Sequence, residues 1–372
     1  MNIRQNEIRV LLTAFALSLV TLSTTVVTGA ELSTMRQFQL VKKDQGYNLE
    51  MKTVPVPGIT AGEILVRVHA TSLNRRDVFM LQGTYPGRDA SGHVPLSDGA
   101  GEVIAIGKDV TEFKVGDRVA GTFFTNWRDG KFSPAALASA RGGEVSGMLS
   151  ELIVASEDSL VKIPDNLSYE EAATLPCAGV TAWNALFKVS HLQKGEYVLL
   201  EGTGGVSIFG LLFAVAADAK PIITSSSDDK LEKAKSMGAV GTVNYKKNAD
   251  WEKEVMTITN NAGVDHVLEV GGVDTLPKAV SSLAFGGNIA LIGGLSGFGG
   301  NIPALGLMGK GASASGIYVG SKADFAAMNK FITDYNVHPV VDRVFPFSEA
   351  PAAIQYMKDS DFIGKIVIKV GD

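Results

Sequence analysis

Cysteine is nearly missing from this chain. Cys177 is the only one in 372 residues, so no intramolecular disulfide forms and no multi-cysteine metal site can assemble. Histidine is also scarce: His69, His93, His191, His266 and His338 show neither HxxxH nor HExxH spacing, which excludes the helical metal motif that uses it. No basic run stands out, and the net charge is −5, which argues against a nucleic-acid partner. There is no repeat of solenoid length. What is present is ordinary globular composition, 45% apolar and 20% charged, with enough length for two domains with their own cores.

Residues 1–30 read differently from the rest. Arg4 and Arg9 precede a mostly apolar run, Val10 to Val27, and Thr28-Gly29-Ala30 supplies small residues at a cleavage site. That layout is expected of a secretory signal peptide, giving a periplasmic or secreted mature chain that begins near Glu31. The alternative is a cytoplasmic protein starting at Met35, where MRQFQLVKKDQGYNLEM begins.

From Met35 to about Pro164 short strands alternate with glycine-bearing turns: Glu63–His69, Gly101–Gly107, Phe113–Val119 and Leu149–Ala155. This spacing predicts a small barrel-like β domain. Asn126 to Gly147 is polar and weakly patterned, and is expected to be a long surface loop bordering a site. Ser168 and Glu171 form a capping box at the start of a helix, which Pro176-Cys177-Ala178-Gly179 is expected to interrupt before it resumes over Val180–Val189.

The second half is organised around Gly195 to Lys230. Tyr197–Leu200 is a buried strand in pattern, Gly202-Thr203-Gly204-Gly205 a tight turn, Val206–Ala217 a helix and Pro221–Thr224 a second strand. Strand, glycine turn, helix and strand form the unit that receives a dinucleotide pyrophosphate on backbone N–H groups at a helix N-terminus. The third position of the fingerprint is Ser207 rather than glycine. Further strands, Thr242–Tyr245, Val267–Val270 and Asn288–Ile292, alternate with helices and end in glycines such as Gly271 and Gly293. Such alternation predicts a doubly wound parallel sheet. The final strand, Lys365–Val370, is expected to leave this domain and rejoin the first.

From Met35 onward the chain resembles the medium-chain dehydrogenase/reductase superfamily. The resemblance rests on Gly101-Glu102-Val103, Lys114-Val115-Gly116-Asp117-Arg118-Val119, Ala172-Ala173-Thr174-Leu175-Pro176, Thr181-Ala182 and the glycine turn, in this order. It is most similar to the zinc-independent branch around quinone oxidoreductases and enoyl reductases, and to sequences labelled alcohol dehydrogenase-like. The resemblance implies an α/β fold: a GroES-like β-barrel domain (35–177 and 318–372) plus a doubly wound parallel Rossmann sheet (178–317), with the site in the cleft between them.

It also implies the chemistry. Where zinc-dependent members carry ligands, this chain has Asn74, Ser97-Asp98 and Cys177, and no four-cysteine loop, so no zinc is expected. Asn74, Asp77 and Tyr85 reproduce the Asn-x-x-Asp…Gly-x-Tyr pattern, making Tyr85 the candidate proton donor and Asn74 the residue ordering the nicotinamide side. The position where NAD-specific members place a carboxylate is Ser225, followed by Ser226; with Lys230 and Tyr245 nearby, NADP(H) is expected, NAD(H) being possible. The cofactor-binding set is Asn74, Thr181, Gly202, Gly204, Gly205, Val206, Ser225, Ser226, Lys230, Tyr245, Gly271 and Gly293. The implied activity is zinc-free hydride transfer to a quinone, enone or other carbonyl compound. Metal-free oxidation of simple alcohols and non-catalytic dinucleotide binding are the alternatives. Relatives dimerise through the Rossmann sheet, which makes Ser313–Val319 the expected homodimer edge.

Overall fold

Alternation of apolar and polar residues builds the first lobe of the computed structural model, which describes residues 33–371 apart from 88, 298 and 300. The signal-like segment lies outside the described residues. β1 (Thr34–Lys42) and β2 (Tyr47–Pro55) pair antiparallel along their whole length. β3 (Glu63–Ser72) buries Ile64, Val66, Val68 and Ala70. It is followed by α1 (Arg75–Gln82), which ends at Gly83 in the left-handed conformation that glycine adopts without strain. Next come β4 (Asp98–Ile106), β5 (Arg118–Gly121), α2 (Pro134–Leu137), β6 (Leu152–Ser156) and β7 (Leu160–Lys162). β3 is the hub of the sheet, antiparallel to both β4 and β6.

Two expectations fail in this lobe. Phe113–Val119 is strand only from Arg118 onward. Lys114–Asp117 is a turn closed by the Asp117 N–H to Lys114 O at 3.1 Å, with Gly116 at φ +89°. Asn126–Gly147 is only in part a surface loop, exposed over Arg128–Phe132. It contains α2, it buries Ala136, Ala140 and Arg141, and Gly147 packs directly on the Pro95 and Leu96 backbone. The apolar positions there are isolated rather than periodic, so the pattern did not reveal them.

α3 (Tyr169–Ala172) opens with the expected capping box of Ser168 and Glu171. The expected break at Pro176–Gly179 is absent. The chain continues as a wide π turn, Leu175–Gly179, then α4 (Val180–Trp183), then a second π turn, Asn184–Val189. A π turn relaxes the i→i−4 register that a proline cannot satisfy, and such turns often sit at functional sites.

The second lobe follows in strict alternation: β8 (Tyr197–Leu200), α5 (Gly205–Ala216), β9 (Lys220–Ser225), α6 (Asp228–Ser236), β10 (Gly241–Asn244), α7 (Trp251–Ile258), β11 (Val264–Glu269), α8 (Leu276–Ser282), β12 (Leu283–Leu291), α9 (Ala304–Lys310) and β13 (Ser313–Gly316). All neighbouring strands are parallel, in the spatial order β10-β9-β8-β11-β12-β13. The order reverses between β8 and β11, which opens a crevice at their carboxyl ends. α10 (Lys322–Tyr335) then leads back to the first sheet through β14 (Val341–Pro346), α11 (Ala350–Asp359) and β15 (Lys365–Lys369). β15 lies antiparallel to β3, so the tail does rejoin the first lobe.

Candidate active-site cleft

A cleft of about 710 Å³ runs from α1 and Tyr85 in the first lobe to the carboxyl ends of β8 and β9, a size suited to a small organic ligand. Of the residues singled out in the sequence, Asn74, Tyr85, Thr181, Gly202, Gly204, Gly205, Val206, Ser225, Ser226, Lys230, Tyr245 and Gly293 all line it. Gly271 does not. Its N–H donates to Glu201 Oε2 at 3.3 Å, and a Cβ there would lie 2.2 Å from Thr275 Oγ1. Val270 reaches the wall instead.

The glycine turn leaves open space where a dinucleotide needs it. A Cβ on Gly202 or Gly204 would meet nothing within 4 Å, and Gly202 has φ +73°, a conformation other residues adopt only with strain. Ser207 is accounted for by its hydroxyl, which donates to Glu201 O at 2.6 Å and ties the first turn of α5 to the end of β8. Close helix–sheet packing is supplied one turn later by Gly210, where a Cβ would come within 2.7 Å of Leu200 and 2.9 Å of Leu268. These residues fit a dinucleotide.

At the far end of that site β9 ends in Ser225 rather than a carboxylate, and Asp361 lines the cleft beside Lys230. Ser225 is buried, and Lys230 is 12% exposed, bonded to the exposed Asp361 at 2.9 Å. That ammonium holds the Asp361 carboxyl below its ordinary range. Asp228 does not line the cleft and is held by Asn244 Nδ2 at 2.6 Å and by Lys247.

Under the turn, Glu201 directly follows β8 and Glu269 ends the adjacent parallel β11, one step beyond the Leu200–Leu268 pair. Both are buried, at 4% and 1% exposure. Burial, and then the charge of Glu269, push the Glu201 carboxyl well above its ordinary range. Glu201 Oε1 has no partner, while Glu269 accepts from Gly272 N–H at 2.8 Å and Thr275 Oγ1 at 2.9 Å.

On the substrate side the wall is aromatic: Phe79, Tyr85, Phe123 and Tyr318. The Tyr85 hydroxyl lies 3.3 Å from that of Tyr318. Burial first, and this hydrogen bond second, raise the Tyr85 phenol above its ordinary value, so it keeps its proton at neutral pH. Arg76 is buried over the Phe123 ring at 4.4 Å and donates to Arg141 O at 2.5 Å. Asp77, in the same helix, accepts from the Asn74 N–H at 2.7 Å, and burial raises it to about 6.

Residues at the zinc-ligand positions of zinc-dependent relatives are otherwise engaged. The Lys365 ammonium donates to Asn74 Oδ1 at 2.6 Å and to Asp98 Oδ2 at 3.3 Å. The Ser97 hydroxyl donates to Asp98 Oδ1 at 2.7 Å, and burial pushes the Cys177 thiol up to about 12. Zinc takes thiolate, neutral imidazole or carboxylate, and this donor set does not fit it. Among the described residues no group of three or more His, Cys, Asp or Glu could hold a metal ion.

Lys365, Glu201, Arg76, Tyr318 and Asp361 went unread in the sequence. Lys365 carried the one usable signal: a lysine at the head of an apolar strand, where burial demands a partner.

The family description "zinc-binding dehydrogenase" matches residues 205–334, and "alcohol dehydrogenase GroES-like domain" matches residues 60–165. A zinc-type alcohol dehydrogenase-like protein of Schizosaccharomyces pombe is 43% identical over 334 residues, spanning 88% of this chain and 95% of its own. The chain belongs to the medium-chain dehydrogenase/reductase superfamily. Quinone oxidoreductase-like protein 2 of Bos taurus is 28% identical over 83% of this chain and 85% of its own. A solved NAD-dependent alcohol dehydrogenase superposes with a TM-score of 0.82 at 31% identity, over 91% of this chain and all of that one. As a member, this chain is an oxidoreductase with a nicotinamide cofactor and a small-molecule substrate.

Proposed function

We propose that the protein is a zinc-independent reductase, preferring NADP(H), that acts on quinones, enones or other planar carbonyl compounds. The aromatic wall carries this reading: Phe79, Tyr85, Phe123 and Tyr318 line one cleft with the glycine turn, and flat π surfaces favour flat ligands. Thr203–Val206 and Thr181 would hold the dinucleotide, while Ser225, Lys230 and Tyr245 would receive a 2′-phosphate. The cofactor, when bound, supplies the hydride. Asn74 and Tyr85 orient the acceptor, and Tyr85 or water gives the proton that balances the added hydride. The quinone oxidoreductase-like relative supports this substrate class. The alcohol dehydrogenase names among the relatives support the rival, interconversion of simple alcohols and aldehydes. Purified protein assayed with quinones, enones, aldehydes and alcohols, each with both cofactors, decides between them. Turnover confined to alcohols would overturn the reading, and about one tightly held zinc per chain by elemental analysis would overturn its metal-free part.

The same proposal extends to assembly and location. β13 is an open sheet edge, and Phe285, Leu305 and Met308 nearby are 83%, 82% and 74% exposed, which supports a homodimer; sedimentation showing only monomer would refute it. Export by residues 1–30 is tested by fractionation with N-terminal sequencing, and a cytoplasmic chain starting at Met35 would refute it.

A further inference from the structure

A cation in the cleft wall has no role so far. Lys365 is 3% exposed at the head of β15. Its ammonium donates to Leu73 O at 2.6 Å, Asn74 Oδ1 at 2.6 Å and Asp98 Oδ2 at 3.3 Å. An ammonium has three donors and no acceptor, so none is left for a ligand. Asp98 is fully buried, held also by the Ser97 hydroxyl and by Ser72 Oγ at 3.3 Å. The pair is therefore fixed from every side.

That arrangement acts on Asn74. Because Lys365 can only donate, it fixes Oδ1 as the end of the amide that faces it, and turns Nδ2 the other way. The protein neighbour of Nδ2 is Ser97 Oγ at 3.5 Å, the outer limit of a hydrogen bond. Asn74 is half-buried in the cleft wall, with an amide donor that the protein barely uses. A charge-assisted bond at Oδ1 draws electron density from the amide nitrogen, and so makes its N–H groups stronger donors.

We propose that Lys365 and Asn74 form a relay that stabilises the oxygen of a carbonyl substrate: Asn74 Nδ2 donates to that oxygen, and Lys365 is the positioning residue that orients and polarises the amide. The relay rests on the oxidoreductase reading above. It transfers no proton. As a hydride adds to carbon, the C=O π pair moves onto oxygen, the bond from Asn74 strengthens, and Tyr85 or water supplies the proton. A purely structural Lys365–Asp98 pair, stitching β15 to β4, would leave the substrate oxygen untouched.

The test uses 4-dimethylaminocinnamaldehyde, whose absorption moves to the red when its oxygen accepts a hydrogen bond. It is titrated into the full chain saturated with NADP+ or NAD+, so that no hydride is available. The wild type should red-shift the bound aldehyde, and Asn74→Leu and Lys365→Met should each abolish the shift. Lys365→Met leaves Asp98 buried without its partner, so Lys365→Met/Asp98→Asn is measured beside it and should lose the shift as well. With NADPH and the best acceptor, each single variant should lose about 10²–10³ in kcat. For Lys365→Met, KM and NADPH affinity should stay within about threefold, and in kcat the Asn74→Leu/Lys365→Met double should be no worse than either single. A shift retained in a folded Lys365→Met/Asp98→Asn protein, or additive losses, would overturn the relay. Turnover by a wild type that binds the aldehyde without a shift overturns the relay but leaves the reductase reading standing. Neither cofactor binding nor turnover overturns both.

Discussion

Replacing Lys230 tests the cofactor preference where the structure is most explicit. If its ammonium holds a 2′-phosphate, Lys230→Ala deletes a hydrogen bond to a charged group, worth about 1.5–3 kcal/mol. The lysine is not free, however, because it already holds Asp361 at 2.9 Å across the cleft. Asp361 is 74% exposed, and releasing such a partner costs about 0.2–1 kcal/mol. The net contribution to NADPH is then about 0.5–2.8 kcal/mol, a weakening of about 2- to 100-fold at about 1.4 kcal/mol per decade. NADH lacks the phosphate and should change little. Asp361→Asn removes the competitor and should tighten NADPH by about 1.4- to 5-fold. Fluorescence titration of both variants with both cofactors checks this. Equal weakening of NADPH and NADH by Lys230→Ala, or looser NADPH binding in Asp361→Asn, would refute the assignment.

Three further outcomes follow from the site. Tyr85→Phe should lower kcat by about 10² on the best acceptor with unchanged NADPH affinity, since Tyr85 belongs to the aromatic end; steady-state kinetics decide it. Glu201, raised from 4.5, binds its proton more tightly folded than unfolded, so its contribution is complete below 4.5 and is lost as pH rises toward the folded value. The stability of wild type relative to Glu201→Gln should therefore fall as pH rises above that point, read as the difference between their melting temperatures; parallel profiles would exclude Glu201 as a source. Gly210→Val should cost about 1–3 kcal/mol in urea unfolding, because its side chain enters the space of Leu200 and Leu268.

What was legible in the sequence is what local periodicity encodes. β8, β11 and β12 came through because each is a short apolar run followed within two residues by glycine, whereas α7 and α9 were not read. Elements with weaker local signals were missed. α1 hides behind Arg75, Arg76 and Asp77, of which Arg76 and Asp77 are buried only because Phe123, Arg141 and Asn74 come to meet them. The helix through Pro176 survives because a π turn absorbs the proline. The site was half legible for the same reason. The glycine turn lies within one stretch of chain, but the Lys365 contact to Leu73 joins residues 292 apart in sequence. No spacing rule reaches that far.

Long-range contacts of this kind also decide how the cleft can move. Residues 360–365 touch both lobes at once. Gly364 N–H donates to Thr203 O at 2.9 Å, Lys230 holds Asp361, and Lys365 reaches Leu73 while its stem lies against Gly205. At the opposite rim the Tyr85–Tyr318 hydrogen bond at 3.3 Å ties the first lobe to the chain just beyond β13, and one neutral bond contributes only about 0.5–1.5 kcal/mol. Opening at the tyrosines breaks that bond and the ring contacts of Tyr318 with Phe124 and Phe132 at 5.3 and 5.1 Å, about 0.5–1.5 kcal/mol each, whereas opening at residues 360–365 breaks a backbone bond, an ion pair and a buried lysine contact together. The lobes should therefore pivot about the 360–365 segment and part at the aromatic end, so that the acceptor exchanges while the dinucleotide stays held. Amide hydrogen exchange is expected to be fast around Tyr85 and Tyr318 and slow at Gly364 and Lys365. Tyr318→Phe should speed the first without altering the second. Protection lost first at Gly364 would place the hinge at the tyrosines and reverse the order of release.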